Sequence, residues 1–121
     1  MSSLNLFQHA ETTALAAGHV IFNAGDRGDN MYVVVEGKVD IKIGDVLLDS
    51  FGLGDIFGEM ALIDRSPRSA TAVVSESAKL AVVDERGFIR LVQHTPYFAL
   101  ELMGLMAKRL RNTNARLAIG H

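Results

Sequence analysis

The segment FGEMALIDRSPRSATA, residues 57 to 72, places one carboxylate, Glu59, and one guanidinium, Arg68, nine positions apart among small and apolar residues. An exposed salt bridge would not need this setting, because exposed pairs contribute little to stability. A ligand that carries both hydroxyl groups and a phosphate would need it, since a carboxylate accepts hydrogen bonds from hydroxyls and a guanidinium binds a phosphate with its planar fork. The residue types therefore predict a cradle for a phosphate and a ribose.

The main chain of this segment is also suited to an anion. GEMALID predicts a short helical turn, and the first N–H groups of such a turn have no partner within it, so they can donate to a phosphate. Gly58 lets the phosphate approach the backbone, and Ala61 keeps the floor of the site small. Ser69 adds a hydroxyl beside Arg68.

Each of these residues also has a purely structural interpretation. Glu59 and Arg68 could pair with each other inside the fold, although burying an ion pair brings no reliable stability. Gly58 could serve only a turn, and Ser69 could be a strand residue that faces solvent. These alternatives remain open at the level of the sequence.

The elements that position the segment follow from the periodicity of the chain. Residues 4 to 16 have the spacing of a weak amphipathic helix. Residues 18–84 contain short β-type runs separated by glycine-bearing turns, with a first reversal at Glu36-Gly37, a hairpin turn at Gly44-Asp45 and two strands in TAVVSES and KLAVVDE. Six or more short antiparallel strands predict a closed roll of the jelly-roll kind. We therefore expect one mainly β domain with flanking helices over residues 1–121.

Residues 85–118 change to a helical period. A short helix over residues 85–95 is expected to end before Pro96, and a long amphipathic helix follows over residues 97–118. The long helix has apolar or small side chains at alternating spacings of four and three, a coiled-coil seam formed by Ala99, Met103, Met106, Leu110, Thr113 and Leu117. This seam predicts a homodimer through the C-terminal helix. The alternative is that the same side chains face one intramolecular core.

Composition excludes several other classes of protein. The formal net charge is −2, there is no cysteine, and the four histidines have no paired spacing, so we expect neither a metal site nor a nucleic-acid surface. Neither a secretion signal nor an apolar run of membrane-spanning length is present, which favours a cytoplasmic protein. An enzyme would need a nucleophile, a metal set or paired carboxylates near Glu59, so we expect binding without catalysis.

The segment FGEMALIDRSPRSATA resembles the phosphate-binding cassette of cyclic nucleotide-binding domains. The run from GD to MYVVVEGKV, residues 25 to 39, resembles the same family's β-roll, and YFALELMGLMAKRLRNTN resembles the long helix of catabolite activator-like bacterial regulators. The resemblance implies that Glu59 binds the ribose 2′-hydroxyl and that Arg68 neutralises the cyclic phosphate. Backbone amides around Gly58, Met60 and Ala61 would complete the site.

The resemblance also bears on the choice of nucleotide. KRLRNTN, residues 108 to 114, resembles the adenine-contacting stretch of the bacterial activators, where a threonine–serine pair reaches the base amino group. Thr113 preserves the first hydroxyl, whereas Asn114 replaces the serine. Cyclic AMP is therefore favoured. Cyclic GMP is the alternative, because the Ser69 hydroxyl can bond either the phosphate or a guanine amino group.

The resemblance implies a sensor module whose C-terminal helices change when the ligand binds. The bacterial activators continue from the long helix into a DNA-reading helix-turn-helix, whereas this sequence ends at His121 and is acidic overall. We therefore expect no direct DNA binding by this chain and an output through an unknown effector protein, or through the rest of a longer protein. A ligand-free roll kept only for dimerisation is the remaining alternative.

Overall fold

A computed structural model describes residue 7 and residues 10–119, with side chains as far as residue 112. The chain divides into two compact units, residues 1–88 and residues 89–121, and each is described by itself. The prediction of a single domain over residues 1–121 stays a prediction.

The first unit is built on one antiparallel sheet of six strands. Its strand order is β1-β6-β3-β4, with β2 paired to β6 and β5 paired to β3. A four-residue helix, α1, lies between β5 and β6. The elements are β1 (Thr13–Leu15), β2 (Val20–Phe22), β3 (Asn30–Ile43), β4 (Val46–Phe51), β5 (Ile56–Phe57), α1 (Met60–Ile63) and β6 (Thr71–Asp84). The predicted mainly β architecture is confirmed.

The core of this unit lies on the inner face of β3, β5 and β6. At the start of β6, the buried Ala72 and Val74 alternate with the partly exposed Thr71 and Val73, as expected for a strand with one buried face. The central buried cluster consists of Val34, Val39, Phe57, Ala72, Val74, Ala78 and Leu80. Aromatic rings of Phe22, Tyr32 and Phe51 pack against this cluster next to Phe57.

Three boundaries predicted from the sequence are wrong. The chain does not reverse at Glu36-Gly37, because β3 continues through it to Ile43. TAVVSES and KLAVVDE form the single strand β6 and not two strands. Residues 13–15, assigned to an N-terminal helix, form β1, which pairs with residues 78–80 of β6. In that pairing the β-branched Thr13 lies opposite Leu80, so tertiary pairing overrides a weak helical pattern.

Gly37 explains why a turn signal lies inside a strand. Its φ is +86°, and the register of β3 against β6 shifts around it, so it forms a bulge that bends the strand without reversing it. A Cβ at this position would overlap the main chain of Ser77 and Ala78. Glycine is therefore required here for both its backbone conformation and its lack of a side chain. The hairpin at Gly44-Asp45 is confirmed by the pairing of Ile43 with Val46.

The helical region agrees with the sequence prediction. Helix α2 covers Glu85–His94 and helix α3 covers Pro96–Ile119. Asp84 caps α2, since its carboxylate accepts a hydrogen bond of 2.8 Å from the Gly87 N–H. No helix within residues 10–119 is long and apolar enough to cross a membrane.

Gly37→Ala should lower the free energy of unfolding by about 3 kcal/mol, because it adds a strained backbone and an overlap with the opposite strand. Gly44→Ala is the matched control: φ is also positive, +57°, but open space surrounds the position. It should cost only about 1 kcal/mol. Urea denaturation of both variants measures the difference. Equal losses of unfolding free energy would contradict the requirement for glycine at the Gly37 bulge.

Candidate functional site

Gly58 joins β5 to the turn that carries the predicted site. Its φ is +78°, and a Cβ here would lie 2.8 Å from the Arg68 Nη1 and 3.2 Å from a ring carbon of Tyr32. Any other residue would be strained and would also displace the guanidinium. The predicted role of Gly58 in allowing close approach therefore applies first to the protein's own arginine.

Glu59 begins the short helix α1. It occupies the N-cap position, and its carbonyl accepts hydrogen bonds from the N–H groups of Leu62 and Ile63 at 3.0 and 3.1 Å. The N–H groups of Met60 and Ala61 precede these bonds, so they are the ones that the turn leaves for an anion. The Ala61 side chain is buried, whereas Met60 is exposed.

Arg68 is buried, with only 7% of its surface exposed. Its Nη1 donates to the Gly58 carbonyl at 2.9 Å and its Nη2 donates to the Asn30 carbonyl at 2.8 Å. The Nε is buried without a hydrogen-bond partner within the described part of the chain. A guanidinium keeps its positive charge at any ordinary pH, and carbonyl dipoles do not neutralise it.

Two aromatic rings lie near this guanidinium. Its Cζ lies 4.1 Å from the centre of the Phe22 ring and 5.8 Å from the centre of the Tyr32 ring. Gly28 also lies against this guanidinium, and a Cβ there would overlap its Nη2, Cζ and Nε atoms. Arg68 thus fits a space shaped by β2, β3, the loop between them and Gly58.

Main-chain hydrogen bonds hold the β2–β3 loop against the segment that carries Arg68. The Arg68 N–H donates to the Asp26 carbonyl at 2.8 Å, and the Gly25 N–H donates to the Arg68 carbonyl at 2.7 Å. The Ala24 N–H donates to the Thr71 hydroxyl at 3.0 Å. The loop GDRGDN is therefore part of the site. Its Asp26 carboxylate accepts a hydrogen bond of 2.9 Å from the Asn23 N–H in a turn, and its Gly28 leaves room for Arg68.

The structure brings Glu59 and Arg68 to the same glycine. Glu59 is 5% exposed and follows Gly58 directly, while Arg68 binds the Gly58 carbonyl. The alternative in which the two side chains pair with each other is not seen among the described residues, where Arg68 donates to main-chain carbonyls. Ser69 is exposed beside Arg68, whereas Ala70 and Ala72 are buried. The Thr113 and Asn114 side chains lie outside the described residues.

This arrangement agrees with comparisons to known proteins. Residues 12–95 match the family model of the cyclic nucleotide-binding domain. The chain belongs to the cyclic nucleotide-binding domain family. It is 30% identical to the CRP-like cAMP-activated global transcriptional regulator of Mycobacterium tuberculosis, in an alignment that covers 98% of this chain and 60% of the regulator.

Two solved structures extend the likeness to the fold. The Thermus thermophilus catabolite activator protein has a TM-score of 0.84 and 32% identity, covering 97% of this chain and 58% of that protein. A structure described for a cyclic-GMP-dependent signalling pathway that regulates bacterial phytopathogenesis has a TM-score of 0.80 and 32% identity, covering 91% of this chain and 92% of that one. The chain thus spans about three fifths of the mycobacterial and Thermus proteins.

After helix α1, the cassette of this cyclic nucleotide-binding domain forms an ordered turn at residues 64–66. The Ser66 hydroxyl and N–H donate hydrogen bonds to the Asp64 carboxylate, and these bonds lower the pKa of Asp64. The charged carboxylate stabilises the turn, and this contribution is lost only as the pH falls through the lowered pKa. Arg65 has a φ of +57° and lies 3.2 Å from Glu85, the first residue of α2. These two residues border a cavity of about 310 Å³ whose other lining residues are Arg27, Gly28, Asp29, Ala61 and Leu62.

Sequence reasoning missed four residues of the Arg68 site. Phe22 and Tyr32 contribute rings, Gly28 contributes space, and Asn30 contributes a carbonyl. A carbonyl belongs to every residue, so no residue type marks Asn30. The aromatic pair was visible only as strand residues, and its convergence on Arg68 depends on the pairing of β2 and β3 with β6.

Gly28→Ala should lower the free energy of unfolding by about 1–2 kcal/mol, because the new methyl group displaces a guanidinium that holds two carbonyls. The cost should vanish in an Arg68→Ala background, where the overlapping atoms are gone. Gly52→Ala, at a position with open space, is the control. Chemical denaturation measures the parent and all four variants, and an equal cost of Gly28→Ala in both backgrounds would contradict this packing.

Proposed function

We propose that this domain is a sensor that binds cyclic AMP in the cassette of residues 57–72 and changes its C-terminal helices in response. The observation that carries the proposal is the buried Arg68, which contacts two carbonyls and two aromatic rings but no carboxylate among the described residues, and whose Nε has no acceptor there. A buried cation without a counter-ion is costly, so an anion that reaches it gains a strong charge-assisted interaction.

The other cradle groups fit the remaining parts of a cyclic nucleotide. The Met60 and Ala61 N–H groups would donate to the phosphate that the Arg68 side chain also binds, so that the phosphate bridges them. Glu59, buried next to Gly58, would accept from the ribose 2′-hydroxyl. The Ser69 hydroxyl would donate to the phosphate. Binding without turnover is part of the proposal, because each of these groups is assigned to holding the ligand.

The choice of cyclic AMP is supported by the sequence relatives, because the mycobacterial regulator is described as cAMP-activated. We propose that Thr113 and Asn114 contact the adenine. Cyclic GMP is the second candidate, favoured by the exposed Ser69 hydroxyl and by the similarity to a structure associated with cyclic-GMP-dependent signalling. The two ligands share the ribose and phosphate, so both would use Glu59 and Arg68 in the same way.

The proposed response begins at the junction between the cassette and α2. Phosphate binding would tighten the α1 turn. Arg65, which lies shortly after α1, forms an ion pair with Glu85 at the start of α2. An exposed pair of this kind contributes little to stability, so it can rearrange easily. The ligand shifts the equilibrium between the two states only by its difference in affinity for them.

We also propose that the domain forms a homodimer through α3. Leu100, Met103 and Leu110 are each more than three fifths exposed, an unusual density of large apolar side chains on one helix. Met103 and Leu110 belong to the predicted seam, in which Ala99 and Met106 are half-buried. A cytoplasmic location, an output through an effector protein and no direct DNA contact by this acidic segment complete the proposal.

Cyclic AMP should bind the purified domain in isothermal titration calorimetry, and Arg68→Ala should weaken binding by roughly 2–5 kcal/mol, as for the loss of one partner of a buried charge contact. Glu59→Gln should weaken it by about tenfold, because an accepting carboxylate becomes an amide. Lys79→Ala removes an exposed ion pair with Glu36 outside the site and should leave affinity unchanged. A parallel titration with cyclic GMP ranks the two nucleotides. Unchanged affinity in Arg68→Ala would remove the assignment.

Leu110→Glu should convert the proposed dimer to a monomer, because it places a charge in an apolar seam. Lys108→Glu introduces the same charge at an exposed polar position of α3 and should leave the dimer intact. Sedimentation velocity gives the mass of each variant with and without cyclic AMP. A dimer that persists in Leu110→Glu would place the interface elsewhere.

A further inference from the structure

The Arg68 guanidinium has three kinds of contact, and each restricts a different movement. The two carbonyl acceptors, on Gly58 and Asn30, take one N–H from each terminal nitrogen and fix the group within its own plane. They leave it free to tilt about the line that joins them. A contact on the face of the plane is needed to prevent that tilt.

Phe22 provides the contact on the face. Its ring centre lies 4.1 Å from the Arg68 Cζ, within the range in which a cation is attracted by the quadrupole of an aromatic ring. Tyr32 is more distant, at 5.8 Å. The attraction is strongest where water is excluded, and Arg68 is only 7% exposed.

The position of Phe22 is itself fixed by the sheet. It ends β2 and pairs with Ala72 of β6, four residues after Arg68 in the chain. Its ring also packs against Tyr32 and Phe57, with ring centres 6.0 and 6.2 Å away. The sheet pairing and the two neighbouring rings therefore hold the Phe22 ring in place in the absence of a ligand.

We propose that Phe22 is a positioning residue for Arg68, which holds the guanidinium so that its Nε edge, and not its terminal fork, receives the anionic ligand. The inference rests on the proposed function for the identity of the ligand, a cyclic phosphate. It rests on the structure for the rest: both terminal nitrogens already donate to carbonyls, and Nε is the buried donor without an acceptor. Nε and the remaining N–H of a terminal nitrogen form a two-donor edge that matches two phosphate oxygens.

The first test needs no ligand. The Nε–H proton of Arg68, assigned in a ¹⁵N-labelled domain by its loss in Arg68→Lys, should resonate upfield because it lies near the Phe22 ring. Phe22→Leu should move it downfield, whereas Phe22→Tyr, which keeps a ring, should not. Phe51→Leu removes another ring stacked on Phe57 and should leave the resonance in place. An Nε–H resonance that is the same in Phe22→Leu and the parent would overturn the proposal.

The second test separates positioning from general packing. Phe22→Leu should lower the affinity for cyclic AMP by about tenfold, with Phe22→Tyr near the parent value and Phe51→Leu affected less. In an Arg68→Gln background, Phe22→Leu should have no further effect on affinity. A loss that persists in full without Arg68 would show that Phe22 acts through packing alone and would overturn the proposal.

The two tests also distinguish this inference from the proposed function. If the parent domain binds neither cyclic nucleotide, the proposed function fails, and the Nε–H resonance alone decides whether Phe22 holds Arg68. If the parent binds and the resonance responds, but Arg68→Lys binds as tightly as the parent, the Nε edge is not the phosphate site. An Nε–H resonance that responds to Phe22→Leu, together with a loss of binding in Arg68→Lys, supports the inference, because lysine keeps the charge but has no such edge.

Discussion

The burial of Arg68, without a counter-ion among the described residues, is the constraint on which the rest of the structure depends. Moving a guanidinium out of water is costly, and in the described residues only two carbonyls, one ring at close range and a second ring farther off compensate for it. Glycine at 28 and 58 is required because the same space cannot hold both a Cβ and the guanidinium. The buried positive charge of Arg68 therefore favours the binding of an anion, and the surrounding fold keeps the guanidinium in place.

The sheet delivers these contacts from distant parts of the chain. Asn30 and Tyr32 begin β3, Phe22 ends β2, and Gly58 follows β5, while Arg68 lies just before β6. The two main-chain hydrogen bonds between Arg68 and the loop of Gly25 and Asp26 close this arrangement. Because β3 and β6 are long strands with bulges, they bend around the core and bring their ends to one place.

The same cassette also connects to the helical part of the chain. Helix α1 ends at Ile63, Arg65 adopts a left-handed conformation shortly after it, and the ion pair with Glu85 joins this turn to α2. Arg68 is buried and closely packed, whereas the Arg65–Glu85 pair is exposed and contributes little to stability. Under the proposed function, ligand affinity would come from the first and the response from the second.

Much of this protein could be predicted from local residue chemistry. The carboxylate–guanidinium spacing, the glycine before the turn, the hairpin at Gly44-Asp45 and the two C-terminal helices are all encoded within a few neighbouring residues, and the mainly β architecture follows from their periodicity. The pairing of distant strands was decided by the tertiary structure. It turned the Gly37 signal from a reversal into a bulge, because the glycine contacts the main chain of Ser77 and Ala78 across the sheet. It also recruited Phe22 and the Asn30 carbonyl to Arg68, since a ring or a carbonyl acquires such a role only from what the fold places beside it.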